Sequence, residues 1–251
     1  MTSEPLHSEN LRQAWRTIVP ERGARFGPLP PLMLLLTLVT GFVDAFSYLA
    51  LGHVFVANMT GNVVFSGFAI AGTPGFSLVA SVAALAAFAV GALLGGRVSR
   101  VGEAPHRGRM LSTAVVVEGA LMLAAYLVGQ FGPAPDGDAA IRYVLIALLG
   151  LAMGTQNAAA RALAVPDLTT TVLTQTITGT SADSRVAGGP GGKAGRRMLS
   201  IVAMFLGALG GALLIEHGHA ALSLLCAVLL LVVAGAASWR TRASGEEWTR
   251  P

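Results

Sequence analysis

Val54-Phe55-Val56-Ala57-Asn58-Met59-Thr60-Gly61-Asn62-Val63-Val64-Phe65-Ser66-Gly67-Phe68-Ala69-Ile70-Ala71-Gly72 is apolar enough to compete as a membrane span, yet it is interrupted by a polar cluster. Whether it crosses decides the topology. Six other stretches suit a hydrocarbon layer that takes about 20 apolar residues per helix. They run from Leu32 to Leu51, Phe76 to Gly96, Met110 to Gly129, Ile141 to Ala160, Met198 to Ile215 and His219 to Trp239. If only these six cross, Arg97, Arg100, Arg107 and Arg109, the loop from Arg161 to Arg197, and Arg240, Arg242 and Arg250 all share one side with the N-terminal tail. Every Lys and Arg except Arg142 then lies on that side, and Asp136, Asp138, Glu216, His217 and His219 on the other. Basic loops stay cytoplasmic, so a crossing at Val54 to Gly72 would misplace the second arginine cluster. The stretch is therefore predicted to enter from the outer face and turn back.

The composition agrees with that class: 53% apolar and 12% charged residues with a mean hydropathy of +0.65 predict an integral membrane protein. A pI near 10.0 would suggest nucleic acid in a soluble chain. Here the basic residues sit in short runs between apolar stretches, where they orient helices, and no nucleic-acid partner is expected. The lone Cys226 lies in an apolar run and excludes an internal disulfide or a thiolate metal cluster. Residues 1–31 carry Arg12, Arg16, Arg22 and Arg25 without a signal-peptide apolar core, and read as a mobile cytoplasmic tail.

Two halves of the chain correspond. Asp44, then Asn58-Met59-Thr60-Gly61-Asn62, then Phe88 to Gly96 stand in the same order as Gln156-Asn157, then Thr174-Gln175-Thr176, then Phe205 to Gly211. With three crossings per half, the second copy must be inverted, an architecture common among secondary transporters. The bland alternative is that Gly/Ala-rich helices resemble one another by composition. The predicted fold is all-α, with six transmembrane helices in a 3+3 inverted repeat and a broken or re-entrant polar segment after the first helix of each half. The first repeat takes 32–129 with its outer-side segment 54–72, and 130–140 is an outer loop. The second takes 141–239 with its inner-side polar segment 167–182, and 240–251 is a cytoplasmic tail.

Thr40-Gly41-Phe42-Val43-Asp44-Ala45-Phe46-Ser47-Tyr48-Leu49 followed by Phe55-Val56-Ala57-Asn58-Met59-Thr60-Gly61-Asn62 resembles the signature of the YoaK-type family of bacterial inner-membrane proteins. Gly154-Thr155-Gln156-Asn157 and Pro166-Asp167-Leu168-Thr169-Thr170-Thr171 resemble that family's second-half motifs, so the likeness covers roughly Leu32 to Trp239. Thr174-Gln175-Thr176 departs from the threonine-glycine pair the likeness leads one to expect. The resemblance implies a multi-pass protein of the bacterial inner membrane with both termini cytoplasmic, and implies no activity.

The site must be argued from polar groups at membrane depth, where a central Asp costs roughly 2.5 to 3.5 kcal/mol on insertion scales. Asp44 lies about 18 Å of helical rise beyond Leu32. It reads either as a proton, cation or solute site or as a cap on a neighbouring helix end. Asn58, Thr60 and Asn62 around Gly61 offer amides and a hydroxyl to backbone freed by a break. A helix starting there would point its positive end inward, favouring an anionic or carbonyl-bearing solute; the alternative is that the turn satisfies itself. Gln156 and Asn157 take the place of Asp44 in the second half, with Thr169, Thr170, Thr171, Thr174, Gln175, Thr176 and Thr178 forming a polar face opposite.

Glu118, about 12 Å of rise beyond Met110, is a candidate proton relay or a partner for an interfacial arginine. Gly91 with Gly95 and Gly207 with Gly211 are small-xxx-small pairs suited to helix packing. Arg142, His53, His217 and His219 read as interfacial, without metal-ligand spacing. The glycines from Gly188 to Gly195 lack the strand and the Lys-Ser/Thr ending of a phosphate loop. No cofactor, metal or enzymatic constellation is expected. These residues predict a secondary transporter of a small polar solute, with proton coupling as an option and alternating access around a midplane site. The alternative is a scaffold or sensor whose polar turns are structural. Partners are membrane lipid and an unidentified solute, and a homo-oligomer is compatible with either.

Overall fold

A computed structural model describes residues 4–21, 23–98, 106–135, 137–166, 168, 173–183, 187–189 and 194–250. Arg22, Arg100, Asp136, Asp167, Thr169, Thr170 and Thr171, invoked above, lie outside the described residues. Within them every regular element is helical. Six helices are long and apolar enough to cross a membrane: α2 (Leu29–Ala50), α4 (Leu78–Val98), α5 (Arg107–Phe131), α6 (Ala139–Leu163), α8 (Ala194–Glu216) and α9 (Ala220–Arg240). They coincide with the six apolar stretches, extended by about a turn or less where helix runs on into interfacial residues. Pro30 and Pro31 fall in the first turn of α2, where a missing N–H leaves no helical bond unmade. Asp138 caps α6 by accepting from Ala140 N at 2.8 Å.

Three further helices are shorter than these six. α1 (Glu4–Ile18) lies within residues 1–31 and rests against α8. The mobile tail expected there is thus a docked helix instead, with Leu11, Trp15, Ile18 and Val19 exposed along one side. Such a stripe is the pattern of a helix lying in a membrane interface. α3 (Met59–Ile70) occupies the Val54 to Gly72 stretch. Its 12 residues rise about 18 Å, short of a hydrocarbon core of about 30 Å. α7 (Leu173–Ala182) is shorter still.

Packing follows a regular scheme. α4 crosses α6 and α2 crosses α8 most intimately; α5 lies on α6, and α9 on α2. α5 and α9 meet each other, α3 leans on α4, and α7 on α8. Lipid is as apolar as leucine, so such crossings depend on close packing rather than on escape from water. Glycine supplies the approach. A Cβ on Gly91 would run into the Leu151 carbonyl and one on Gly154 into that of Phe88, closing the α4–α6 crossing. At the α2–α8 crossing, Gly207 faces the Leu38 carbonyl and Gly41 that of Met204. One turn further on, Gly95 abuts Thr155 O and Gly211 abuts Phe42 O.

The arginine-rich ends converge. After α9 the chain turns back, and Trp248 in a short 3-10 turn (Glu247–Thr249) packs its indole over Gly27. Arg109 Nε donates to Arg242 O at 3.3 Å, and a ring nitrogen of His106 pairs with Ser244 O at 3.0 Å. The C-terminal tail expected from the sequence is therefore folded onto the bundle.

Candidate functional site

α2 carries a stripe of buried polar residues at helical spacing: Thr37, Thr40, Asp44 and Ser47. The hydroxyls satisfy themselves on their own helix. Thr37 Oγ1 donates to Met33 O and Thr40 Oγ1 to Leu36 O, both at 2.9 Å, and Ser47 Oγ to Asp44 O at 3.2 Å. An ionised carboxylate has no such recourse, because it only accepts. Asp44 finds its donor in the irregular segment beyond α2.

That segment turns at Gly52 and His53, both with positive φ, and runs without helical bonds up to Asn58. Its free N–H groups need acceptors at membrane depth. Ala57 N donates to Asp44 Oδ1 at 3.0 Å, and Val56 and Asn58 lie beside the carboxylate, whose Oδ2 is buried without a hydrogen bond. Asp44 therefore sits at the N-terminus of α3, where a negative group is stabilised by the helix dipole. The place expected for an anionic or carbonyl-bearing solute is held by the chain's own carboxylate.

Asn62 clamps the same segment from the other side. Its Oδ1 accepts from Phe55 N at 3.0 Å and its Nδ2 donates to Phe55 O. Gly61 lies under the Phe55 ring, where a Cβ would come within 2.7 Å of Cδ2. Tyr48, Phe55, Phe65 and Phe76 stack into a chain of rings, with centroids 5.0 Å apart for Tyr48–Phe55 and 5.1 Å for Phe65–Phe76. This aromatic cluster was not foreseen, although its four rings crowd into a short interval of sequence around α3.

The second short helix, α7, also buries one polar residue. Asn62 is the buried residue of α3 and Thr176 that of α7. Ser66 Oγ donates to Asn62 O at 2.8 Å, and Thr180 Oγ1 to Thr176 O at 2.7 Å. α7 is tied to α8 through Arg197, which packs over Gly179 and pairs with Asp183 at 2.8 Å. Asn157 follows Gly154 by the interval at which Asp44 follows Gly41, and its Nδ2 donates to Met153 O at 2.8 Å. Gln156 reaches across to the first half: its Nε2 donates to Thr40 Oγ1 at 2.8 Å, while its Oε1 is buried without a hydrogen bond.

Asp44, Asn62, Gln156 and Thr176 are thus all buried; Asn58, Gly61 and Asn157 are half-buried. Thr60, Thr174 and Gln175 are exposed and do not join them. Glu118 on α5 is 0% exposed, and neither carboxylate oxygen has a hydrogen-bond partner. Arg142 lies over the Tyr143 ring at the opposite end from the arginine cluster. Among the described residues no group of three or more His, Cys, Asp or Glu could hold a metal ion.

A family described as "Protein of unknown function (DUF1275)" matches residues 32–236. The chain belongs to the DUF1275 family. The match takes in both short helices and the six spans apart from the first turn of α2 and the last turn of α9, and leaves α1 and the docked C-terminal segment outside. The UPF0700 transmembrane protein YoaK of Bacillus subtilis (strain 168) is 37% identical over 147 residues, which are 58% of this chain and 63% of that protein. The alignment thus spans less than two thirds of that relative's length. No solved structure matches. Family, relative and six apolar helices together make this a multi-pass membrane protein.

Proposed function

We propose that this DUF1275 protein is a secondary transporter of a small polar solute rather than an enzyme, built as a 3+3 inverted repeat with α3 and α7 as its re-entrant or broken segments. One observation carries the reading: the two halves repeat the same contacts around a shared buried polar centre. Exchanging α2, α4 and α5 with α6, α8 and α9 maps the packing scheme onto itself, α4–α6 onto α8–α2 and α5–α6 onto α9–α2. The glycine contacts follow the same exchange, Gly41 with Gly154 and Gly91 with Gly207, as do the buried residues Asn62 and Thr176. Repeats of this form place their binding site at the interface between halves near the midplane. Thr40 and Gln156 meet there, and the buried Gln156 Oε1 is an acceptor left for a solute donor.

Asp44 holds the α3 segment in register and so links solute access on one side to the conformation of α2. Glu118, buried and unpaired, is the candidate proton carrier. The site holds few charges and suits an uncharged or weakly charged polar molecule. Both termini lie on the cytoplasmic side of a bacterial inner membrane in this reading, because that side then holds the arginines. The test is flux in proteoliposomes across a panel of small polar solutes. Gln156→Leu and Asp44→Asn should abolish uptake that the parent shows, and Glu118→Gln should remove its dependence on a pH gradient. Uptake unchanged in all three would dismiss these roles.

A second reading, a non-transporting scaffold or sensor, is favoured by one specific observation. Asp44 and Asn62 both direct their hydrogen bonds at backbone of residues 55–57. It predicts no flux for any solute and a partner bound through the terminal segments.

A further inference from the structure

A cavity of about 740 Å³ opens at the arginine-rich end, between the linker ahead of α2, the start of α5 and the C-terminal turn. Arg25, Arg107 and Arg250 line it together with Glu246, Glu247 and Trp248. The Arg25 and Arg107 guanidiniums both approach the Phe26 ring, 5.4 and 5.5 Å from its centroid, and Arg107 feels the Arg25 charge. Arg107 also donates to Trp248 O at 3.3 Å, while its Nε is buried without a hydrogen bond. Among the described residues none of these arginines forms an ion pair, although two glutamates share the cavity wall. Glu246 instead accepts from the indole N–H of Trp248 at 2.7 Å. Guanidinium groups that ion-pair with neither glutamate of the wall, one with a buried donor lacking a hydrogen bond, present the chemistry that recognises a phosphate oxygen array. The volume falls within the range of small-ligand sites.

We propose that this cavity binds a phosphate-bearing anion, supplied by the headgroup of an acidic phospholipid or by a free phosphate compound. Arg107 opens a spanning helix, so the cavity lies at headgroup depth, where juxtamembrane arginines attract acidic lipid. Such an anion would bridge the N-terminal linker, α5 and the C-terminal turn, and relieve the repulsion between Arg25 and Arg107. The inference does not depend on whether the protein transports a solute.

The test uses the full chain with Trp15→Phe and Trp239→Phe, which leaves Trp248 as the emitting tryptophan at the cavity wall. In phosphatidylcholine nanodiscs, potassium phosphate is titrated against potassium chloride at matched ionic strength; a parallel series raises the phosphatidylglycerol fraction. A saturable change in Trp248 emission is expected, weakened about tenfold in apparent affinity by Arg25→Gln with Arg250→Gln, the loss of charge-assisted hydrogen bonds. A response to phosphate in phosphatidylcholine identifies a free anion as a ligand. A response to phosphatidylglycerol alone identifies the headgroup. No saturable response in either series, which needs no arginine variant to observe, overturns the proposal. So does a response that the double arginine substitution leaves unaltered in protein that still melts at the parent temperature.

Discussion

Asp44 and Glu118 are both fully enclosed acids, yet their surroundings assign them different work. Asp44 receives the Ala57 amide, so an oxygen at its position is needed by the backbone of the α3 segment. Glu118 receives nothing. Asparagine keeps a carbonyl oxygen at position 44, whereas alanine leaves the Ala57 N–H buried and unpaired, at about 1–3 kcal/mol. Asp44→Ala should therefore unfold at lower denaturant or temperature than Asp44→Asn in the same detergent. Equal midpoints would show that Asp44 does not cap the segment. The sequence marked Asp44 as exceptional, but its partner lay beyond a turn at Gly52 and His53 that spacing cannot resolve. Thr37, Thr40 and Ser47, by contrast, carried a readable signal, since they share the helical face of Asp44, and the same is true of the i to i−4 hydroxyl pairs in α3 and α7.

Among the elements, the two crossings α4–α6 and α2–α8 share one device. A glycine on each helix lets the facing carbonyl come close enough that no side chain fits between. Gly91→Val and Gly207→Val should each destabilise the folded protein by about 1–3 kcal/mol or more, the range for overpacking a filled interior. Substituting Gly96 or Gly119, whose Cβ directions are open, should change little. Thermal melts of the four variants would separate these groups, and similar melts for all four would mean that the seams tolerate separation. The small-xxx-small spacing of Gly91 and Gly95 was legible along one helix. Which helix they faced was not, because a glycine carries no side chain to distinguish one apolar neighbour from another.

Across the whole molecule, the proposed inverted repeat expects the short helices α3 and α7 to enter from opposite faces. In a Cys226→Ser background, Thr60→Cys and Gln175→Cys place thiols at exposed positions on these two helices. A membrane-impermeant reagent should reach them from opposite sides, with Asp138→Cys labelling alongside Thr60→Cys and Arg161→Cys alongside Gln175→Cys. Labelling of both short helices from one side would exclude the inverted arrangement. The docked termini belong to this level as well. Residues 1–31 and 240–251 read as tails because they lack an apolar run, whereas α1 lies on α8 and Trp248 sits over Gly27.

A chain that spans lipid must satisfy its backbone within each helix, so every crossing leaves a continuous apolar run and every basic loop marks a side. Six spans, the helical class and the interrupted stretch at Val54 to Gly72 follow from that constraint and from local composition alone. The pairing of helices does not, because in lipid one apolar face serves nearly as well as another. Only folding brought Asp44 to the Ala57 amide, Gln156 to Thr40 and Arg25, Arg107 and Arg250 to one cavity. Each of these contacts joins residues whose separation along the chain carries no periodic signal.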